Sequence, residues 1–566
     1  MRSINEDEAF DQDRILRSLR SFPIDLLKIY QRSFRLKNGL WYGLIRTAEA
    51  LKLAVMGGRS HVLKDAFQGD CYHQSSSLKL CDLTKENRGC LMDLFPYTKP
   101  ISLRSYPIII GVGDPLGLAN PGYIRGVRKF QAHPVLARPS LKENERTATN
   151  LTQVIGDVAW VVFQENYQEG YGADGGHLNS LQEVKRVLDA GASMITLDLS
   201  EQIDLEVLRQ PKELIDQRFV EEIDEGDAKV ILHLFLDKEF VFRGTEGEFS
   251  VQFDDESVKR NALLFYKSLD FTEEVYKWVL LRGKNRGAID FEISLDKTPF
   301  PTSPENHFFL ALELSHRGVH IQSLAPRFAG EFQRGVDMKG DRESFRVQFY
   351  RHVLIGEDYG YKISIHFENN QSSLLSEIGR LSKGFLDFKA ADASWLEAMR
   401  LVALVHPALY REMHSLALSQ FIEASKPYDV KVDLKRIPKL EELSDEHLPA
   451  LLDEEDCRQL FHVAYESLLN ATNPSGEYLF RKKLYHILTR YEEDYWSLLE
   501  THIEKHLSAL GVSPSPLLRQ TQDDEPSRII CERGRETETF AKRGETRILA
   551  KGEDKKAKNP LKRTKN

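Results

Sequence analysis

The stretch Tyr171-Gly-Ala-Asp-Gly-Gly-His177, followed by Met194-Ile-Thr-Leu-Asp198, decides the fold. It reads as a strand ending in a polar, glycine-rich turn with a histidine at its tip, then a helix, then a second strand ending in a carboxylate. The intervening helix is marked by Ser180 with Glu183 three residues on, the spacing of a capping box. Leu181, Val184 and Leu188 share one of its faces, and Gly191 stops it. Such a βαβ unit carries polar groups at its strand ends, where α/β proteins place their chemistry.

Working outward, eight short apolar runs can be counted: Ile108–Gly111, Pro134–Ala137, the stretch ending at His177, Met194–Leu197, Ile289–Ile293, His320–Leu324, Tyr361–Ile365 and Phe385–Phe388. Most are separated by segments of helical period, and buried runs alternating with helices imply parallel strands joined by crossovers. The pattern predicts an α/β fold, a (β/α)8 TIM-type barrel over residues 106–400. Each unit ends in an ionisable group: Asp114, Arg138, His177, Asp198, Glu292, Arg327, His366 and Lys389. Closing the barrel brings all of them to one rim.

The remainder reads as additions to that barrel. Residues 1–105 form a small mixed appendage, with helical patterning at Asp11–Arg20 and strands near Leu40–Ile45 and Leu51–Met56. An insertion after the fourth strand, 203–286, is expected to hold a strand (Val230–Leu236), a hairpin (Phe240–Phe253) and a helix (Ser257–Leu281) whose aromatics Phe265, Tyr266, Tyr276 and Trp278 read as core. Insertions at this face form lids or oligomer contacts, which leaves a homo-oligomer open. Thr302-Ser-Pro-Glu305 announces a helix that Gly318 ends, and His307, one turn in, reads as a solvated helix histidine. Residues 401–511 form a C-terminal helical extension, in which helices are expected over Ala408–Ala424, Glu455–Leu469 and Glu477–His506, after one at Trp395–Val405. The densely charged tail 512–566 reads as disordered.

Composition narrows the classes. Over 566 residues, 77 basic side chains against 86 acidic ones give a net charge of −9, which argues against a nucleic-acid partner. The five cysteines, Cys71, Cys81, Cys90, Cys457 and Cys531, are odd in number and lack CxxC spacing, so neither a disulfide framework nor a zinc knuckle is indicated. No apolar run is long enough to span a bilayer, and the acidic amino terminus has no apolar core of a signal peptide. A cytoplasmic protein with no membrane partner is expected.

His177 and His366 at opposite strand ends, with Glu292 and Glu331 available between them, make a mixed nitrogen and oxygen set suited to a divalent Zn, Mn, Ni or Fe ion. Such an ion can act as a Lewis acid on a carbonyl, with nearby carboxylates moving protons. Arg327 and Lys389 offer cationic anchors for a substrate carboxylate. This chemistry suits a small, oxygen-rich, anionic molecule and leaves isomerase, aldolase and hydrolase open.

Five motifs resemble the tagaturonate epimerase family: Gly111-Val-Gly-Asp-Pro-Leu-Gly-Leu-Ala-Asn-Pro-Gly122, Phe163-Gln-Glu-Asn-Tyr-Gln-Glu-Gly-Tyr-Gly-Ala-Asp-Gly-Gly-His177, Thr302-Ser-Pro-Glu-Asn-His307, Ser323-Leu-Ala-Pro-Arg-Phe-Ala-Gly-Glu331 and Lys362-Ile-Ser-Ile-His366. The likeness runs in order from Ile29 to Leu510. It implies a metal-dependent enzyme of hexuronate breakdown that interconverts D-tagaturonate and D-fructuronate, epimers at C4, by retro-aldol cleavage and re-addition or by direct deprotonation. On that resemblance His177, Glu331 and His366 are the metal ligands and Glu292 and Asp174 the acid/base pair, while Asp114, Asp198, Arg327 and Lys389 hold the substrate.

The chain also departs from the family. A small-residue loop bearing Ser, Asp and Lys is expected after His366, whereas Phe367-Glu-Asn-Asn-Gln-Ser-Ser373 stands here; Pro115, Asn120 and Leu199-Ser-Glu-Gln-Ile203 are also unusual. A loop that loses a lysine and gains Glu368 holds an anion less well, so another uronate or an uncharged ketohexose is an alternative substrate. An aldolase and a non-catalytic sugar-binding descendant also stay open, the latter opposed by retention of His177, Glu292, Glu331 and His366 together.

Overall fold

The computed structural model describes residues 17–58, 65–73, 76–137, 151–286, 288–330, 338, 340–366, 372–390, 393–426, 428 and 430–516. Glu331, Arg138, the loop 367–371, most of the Asp11–Arg20 segment and the tail from residue 517 lie outside the described residues.

Eight parallel strands close into a barrel: Ile108–Val112, His133–Ala137, Gly172–Leu178, Met194–Asp198, Asp290–Ser294, Ser323–Ala325, Lys362–Ile365 and Leu386–Ala390, each paired to its neighbour in chain order and the last to the first. Every apolar run of the sequence falls on its strand, although the sixth strand is only Ser323–Ala325, shorter than His320–Leu324 suggests. Parallel register sets Thr196 opposite Glu292 and Glu292 opposite Ser323, so a polar row crosses the barrel.

The third strand contains the device that builds the site. Asp174 and His177 are three residues apart, and on a regular strand an odd spacing sends two side chains to opposite faces. Here Met194 pairs with Asp174 but Thr196 with His177, so the third strand spends one extra residue in a bulge. Gly176 takes φ 76°, the left-handed region that glycine enters freely. Gly175 lies so close to the following helix that a Cβ would stand 2.1 Å from Val187 Cγ1. The glycine pair thus turns both polar side chains toward the barrel interior. The helix Leu181–Ala190 begins as expected, with Ser180 accepting from the Glu183 amide, and ends at Gly191 with φ 105°. Glu183 closes the cap one residue earlier than a capping box does, accepting from the Asn179 amide at 2.9 Å.

Before the barrel lies an antiparallel sheet that includes Leu40–Thr47 and Leu51–Gly58. Its alternation divides the core: Trp41, Ile45 and Met56 pack with Leu19 and Phe22, whereas Tyr42, Leu44, Leu53 and Val55 join the barrel's core. In the insertion the hairpin is present as Glu239–Gly244 and Gly247–Gln252, and the long helix as Asp255–Arg286. Val230–Leu236 is not a strand. It belongs to the helix Glu225–Phe235, whose cap Asp224 accepts from the Gly226 and Asp227 amides and whose Ile231 and Phe235, four residues apart, are buried. Phe235 stacks on Phe309 and meets Phe253 and Phe308 edge to face in one aromatic cluster, and Glu246 donates its amide to Tyr350. The insertion is thereby fastened to the helices Pro304–His316 and Arg342–Tyr359.

The C-terminal helices pack on the barrel's outside. Helix Glu492–Ala509 lies against Asn120–Val127, where Gly122 and Gly126 leave room: a Cβ would come within 2.8 Å of the Trp496 carbonyl and 2.9 Å of Ile503 Cβ. The expected span Glu477–His506 is two helices, Arg481–Arg490 and Glu492–Ala509, and Glu455–Leu469 is likewise divided after Val463.

Candidate metal centre at the barrel mouth

At the C-terminal ends of the strands His177, Asp296 and His366 each offer a donor atom within 4.8 Å of the others. The two imidazoles stand edge to face with centroids 5.2 Å apart. Asp296 follows the fifth strand, and alternation carries Glu292, Ser294 and Asp296 along one face of it. Its carboxylate lies 3.0 Å from His366 Nδ1 and 3.8 Å from His177 Nδ1, and it accepts from the Ser294 hydroxyl.

Each imidazole has a further carboxylate beside it, and at His366 it meets the ring nitrogen away from Asp296, the arrangement that orients metal-binding histidines. His366 Nε2 is 3.0 Å from Glu292 Oε1 and 3.0 Å from the Ser364 hydroxyl. His177 Nδ1 stands 3.4 Å from Asp198 Oδ2 without hydrogen-bond alignment, and so remains a buried nitrogen able to turn to a ligand. Asp198 in turn accepts from the Ser200 hydroxyl at 2.6 Å and from Lys297 Nζ at 2.7 Å.

Beneath the cluster lies a denser network. Glu292, with no solvent exposure, accepts from Ser323 at 2.6 Å, Thr196 at 2.9 Å and Lys389 Nζ. The Thr196 hydroxyl is also 3.2 Å from Asp174, and Lys389 Nζ lies 3.6 Å from the same carboxylate. Asp174, Thr196, Glu292 and Lys389 are therefore one buried unit.

Electrostatics favour ligand-ready states at His177 and Asp296. Burial pushes His177 down, against the pull of Asp296 and Asp198, which keeps it neutral near physiological pH. Burial would raise Asp296, but His177 and His366 outweigh it and hold the carboxyl far below its ordinary range. Burial likewise opposes ionisation of Asp198, and His177 with Lys297 overcome it. Glu292 is held well below its usual value because Lys389 and His366 prevail over desolvation. His366 is raised: burial and Lys389 press it down, yet Glu292 and Asp296 together press it further up. An anionic oxygen, a neutral imidazole and a second imidazole backed by a carboxylate form a donor set that fits a divalent ion. Such an ion would displace the His366 proton.

The other expected residues are distributed unevenly. Arg327 stands half-buried at the mouth, fixed by its amide on Thr302 and donating through Nη1 to the Asp296 carbonyl at 3.1 Å. Asp114 folds its own loop, its carboxylate accepting the amides of Leu118, Ala119 and Asn120 at 2.9, 2.8 and 3.1 Å. Lys389 sits inside the barrel, 3 % exposed, below the mouth. Glu331 lies outside the described residues. His307 is not solvated: it is fully buried, with Nδ1 2.9 Å from His352 Nδ1 and Nε2 2.7 Å from the Tyr361 hydroxyl, because its helix packs between the hairpin and Arg342–Tyr359. Asp296, Lys297, Thr196 and Ser323 are site residues that strand-end counting misses.

Residues 30–510 match the family model of tagaturonate epimerase. The chain belongs to the tagaturonate epimerase family. Within it, a tagaturonate/fructuronate epimerase of Thermotoga maritima is 32% identical over 492 residues, spanning 85% of this chain and 97% of that protein. The crystal structure of the fructuronate-tagaturonate epimerase of Cohnella laeviribosi, complexed with glycerol, is 38% identical and covers 89% of this chain and all of its own, with a TM-score of 0.80. Its native structure superimposes equally well, with a TM-score of 0.80. This member of the tagaturonate epimerase family, an isomerase family, therefore has the barrel, the N-terminal sheet and the C-terminal helices as one architecture shared with its relatives. Among the described residues, no helix is long and apolar enough to cross a membrane.

Proposed function

We propose that this protein interconverts D-tagaturonate and D-fructuronate with a divalent ion held by His177, Asp296 and His366. The observation that carries the reading is that the cluster of these three residues stands directly over the buried Glu292–Lys389–Thr196–Asp174 unit. A metal site and a proton-transfer site are thus adjacent in a chain whose relatives are epimerases of these two uronates.

The C4 hydrogen of either sugar is not α to the C2 ketone and is poorly acidified. Breaking the C3–C4 bond avoids this: the C4 hydroxyl loses its proton, the bond electrons move toward the C2 carbonyl, and the freed aldehyde turns and is attacked on its other face. A bound divalent ion would supply Lewis-acid polarisation of the substrate oxygens. Glu292, held ionised, is the proton acceptor, and Asp174 shares the proton through Thr196. Lys389 holds Glu292 in place and offsets its charge. Arg327 and Lys297 face the mouth as cations for the substrate carboxylate. Asp198 acts through His177 and Lys297, and Asp114 by shaping the loop after the first strand.

The test is metal content together with NMR observation of the two uronates, for wild type and His366→Ala. Bound metal with turnover, both lost in the variant, is the expected result. Bound metal with turnover only of another ketose would move the substrate, accumulation of free three-carbon products would make the enzyme an aldolase, and absence of metal would overturn the reading.

A further inference from the structure

On the face of the barrel opposite the metal cluster, a cavity of about 620 Å³ opens where the helices Lys85–Leu94, Leu151–Glu165 and Leu181–Ala190 approach the starts of the fourth and fifth strands. Its walls among the described residues carry Lys85, Arg88 and Lys99 against one carboxylate, Asp189, in a chain whose net charge is −9. Lys85, Arg88, Gly89 and Met92 stand at i, i+3, i+4 and i+7, so one face of the first helix supplies both cations and apolar surface. Ile101, Ile155 and Leu188 continue the apolar wall. The volume falls within the range of small-molecule sites.

Arg88 is the group its surroundings do not account for. It is only 8% exposed, yet among the described residues its side chain makes no hydrogen bond, and its one ion pair, with Asp157, is 3.9 Å long. Other inward-lying arginines are saturated: Arg125 meets Glu165 at 3.0 Å and Glu493 at 2.6 Å, and Arg218 meets Asp204 at 2.5 Å. A guanidinium carries five N–H donors, and leaving them unmet in a buried place is costly. The fold nevertheless makes room for this one. A Cβ on Gly156 would stand 2.0 Å from Arg88 Cζ, so the guanidinium lies against bare helix backbone at a position where glycine weakens the helix. A Cβ on Gly89 would meet nothing within 4 Å, which leaves the space beside Arg88 open. Lys99 is held by Asp93 at 2.9 Å in an exposed pair that a ligand can outcompete.

We propose that this cavity binds a small organic anion, with its carboxylate or phosphate group on Arg88 and its body against Met92, Ile101, Ile155 and Leu188. The guanidinium is shaped for two parallel hydrogen bonds to either group, and Lys85 and Lys99 add charge from the rim. The site is separate from the metal cluster: Ser193 in its wall immediately precedes the fourth strand, and the 5 residues Met194–Asp198 put roughly 15 Å between the two. The wall is also tied to the barrel backbone. Ser193 Oγ accepts from the Ala173 amide at 3.1 Å, and the Ser193 carbonyl accepts from the Asp290 amide at 2.9 Å. A ligand seated there braces three helices and those strand starts at once, so its binding raises thermal stability. Such a site operates whichever sugar the barrel mouth turns over.

The experiment is calorimetric titration and thermal unfolding of the metal-loaded full chain with glycerol 3-phosphate, succinate and inorganic phosphate at millimolar concentrations, on wild type, Arg88→Met and Gly89→Phe. Gly89→Phe fills the cavity from an exposed helix position and leaves Arg88 in place. Expected is saturable binding of at least one organic probe to wild type, tighter than that of inorganic phosphate, with a rise in unfolding temperature. Arg88→Met should weaken it about 10–100-fold, the worth of a hydrogen bond to a charged group. Gly89→Phe should abolish it, and both variants should keep the metal content of wild type. The tighter organic probe identifies the bound group as phosphate or carboxylate. No saturable binding to wild type, or inorganic phosphate bound as tightly as the organic probes, would overturn the proposal. So would binding unchanged in either variant, the result for a probe held at the metal or by Arg327. If Arg88→Met does not fold, retention by Gly89→Phe overturns it alone.

Discussion

The mouth and the floor of this barrel hold similar residues in opposite conditions. At the mouth and just beneath it, Asp198, Asp296 and Glu292 are each met by a cation or an imidazole and are held ionised. At the floor, Asp387 and Lys362 share the same interior without a direct partner among the described residues, and both are displaced toward neutrality. Between Glu292 and Asp387, cationic partners and not depth separate the carboxylate that is held ionised from the one that is not. Glu292 is as buried as Asp387, and the difference between them is Lys389 with His366 at one and no donor at the other.

The comparison breaks most visibly if its upper half is emptied. Glu292→Gln removes the proposed proton acceptor and should lower kcat by about 1000-fold, as loss of a group that moves protons in the transition state does; a steady-state assay with KM resolved checks it. Next in size is Asp198→Asn, which removes the anion beside His177 and should weaken metal binding about 10–100-fold, read by chelator competition with the fold monitored by circular dichroism. Arg327→Ala and Lys297→Ala should raise KM for the uronates with little change in kcat, and a ketose without a carboxylate should be indifferent to both. The smallest effect concerns the bulge: Gly175→Ala should cost about 1–3 kcal/mol of stability, since its methyl enters the space of Val187 and a packed core yields only by shifting, measurable by denaturant unfolding.

Sequence and structure agree best where one rule governs. Eight apolar runs correspond to eight strands because buried parallel strands are short, continuous and spaced by helices. His177 and His366 are legible as strand-end residues, and both stand in the cluster. Asp296 escapes strand-end counting because it lies past its strand, although Glu292-Ile-Ser-Leu-Asp296 repeats a polar residue at every second position and so carries the signal. The same alternation runs through Lys362-Ile-Ser-Ile-His366 and Asp387-Phe-Lys389, and it marks interior-facing polar residues within otherwise apolar strands. In Val230-Ile-Leu-His-Leu-Phe-Leu236 the apolar run alone does not separate strand from helix, and the Asp224 cap is the deciding feature. The burial of His307 depends on packing between the inserted hairpin and a neighbouring helix, contacts between distant segments that local patterns do not encode.

The centre itself is tested most directly by metal stoichiometry in wild type, His177→Ala, Asp296→Asn and His366→Ala, measured on folded protein after loading with one divalent ion and extensive dialysis. One bound ion in wild type and none retained in any of the three variants is the expected result. Full retention by Asp296→Asn, or retention by both histidine variants, would contradict the site described at the barrel mouth.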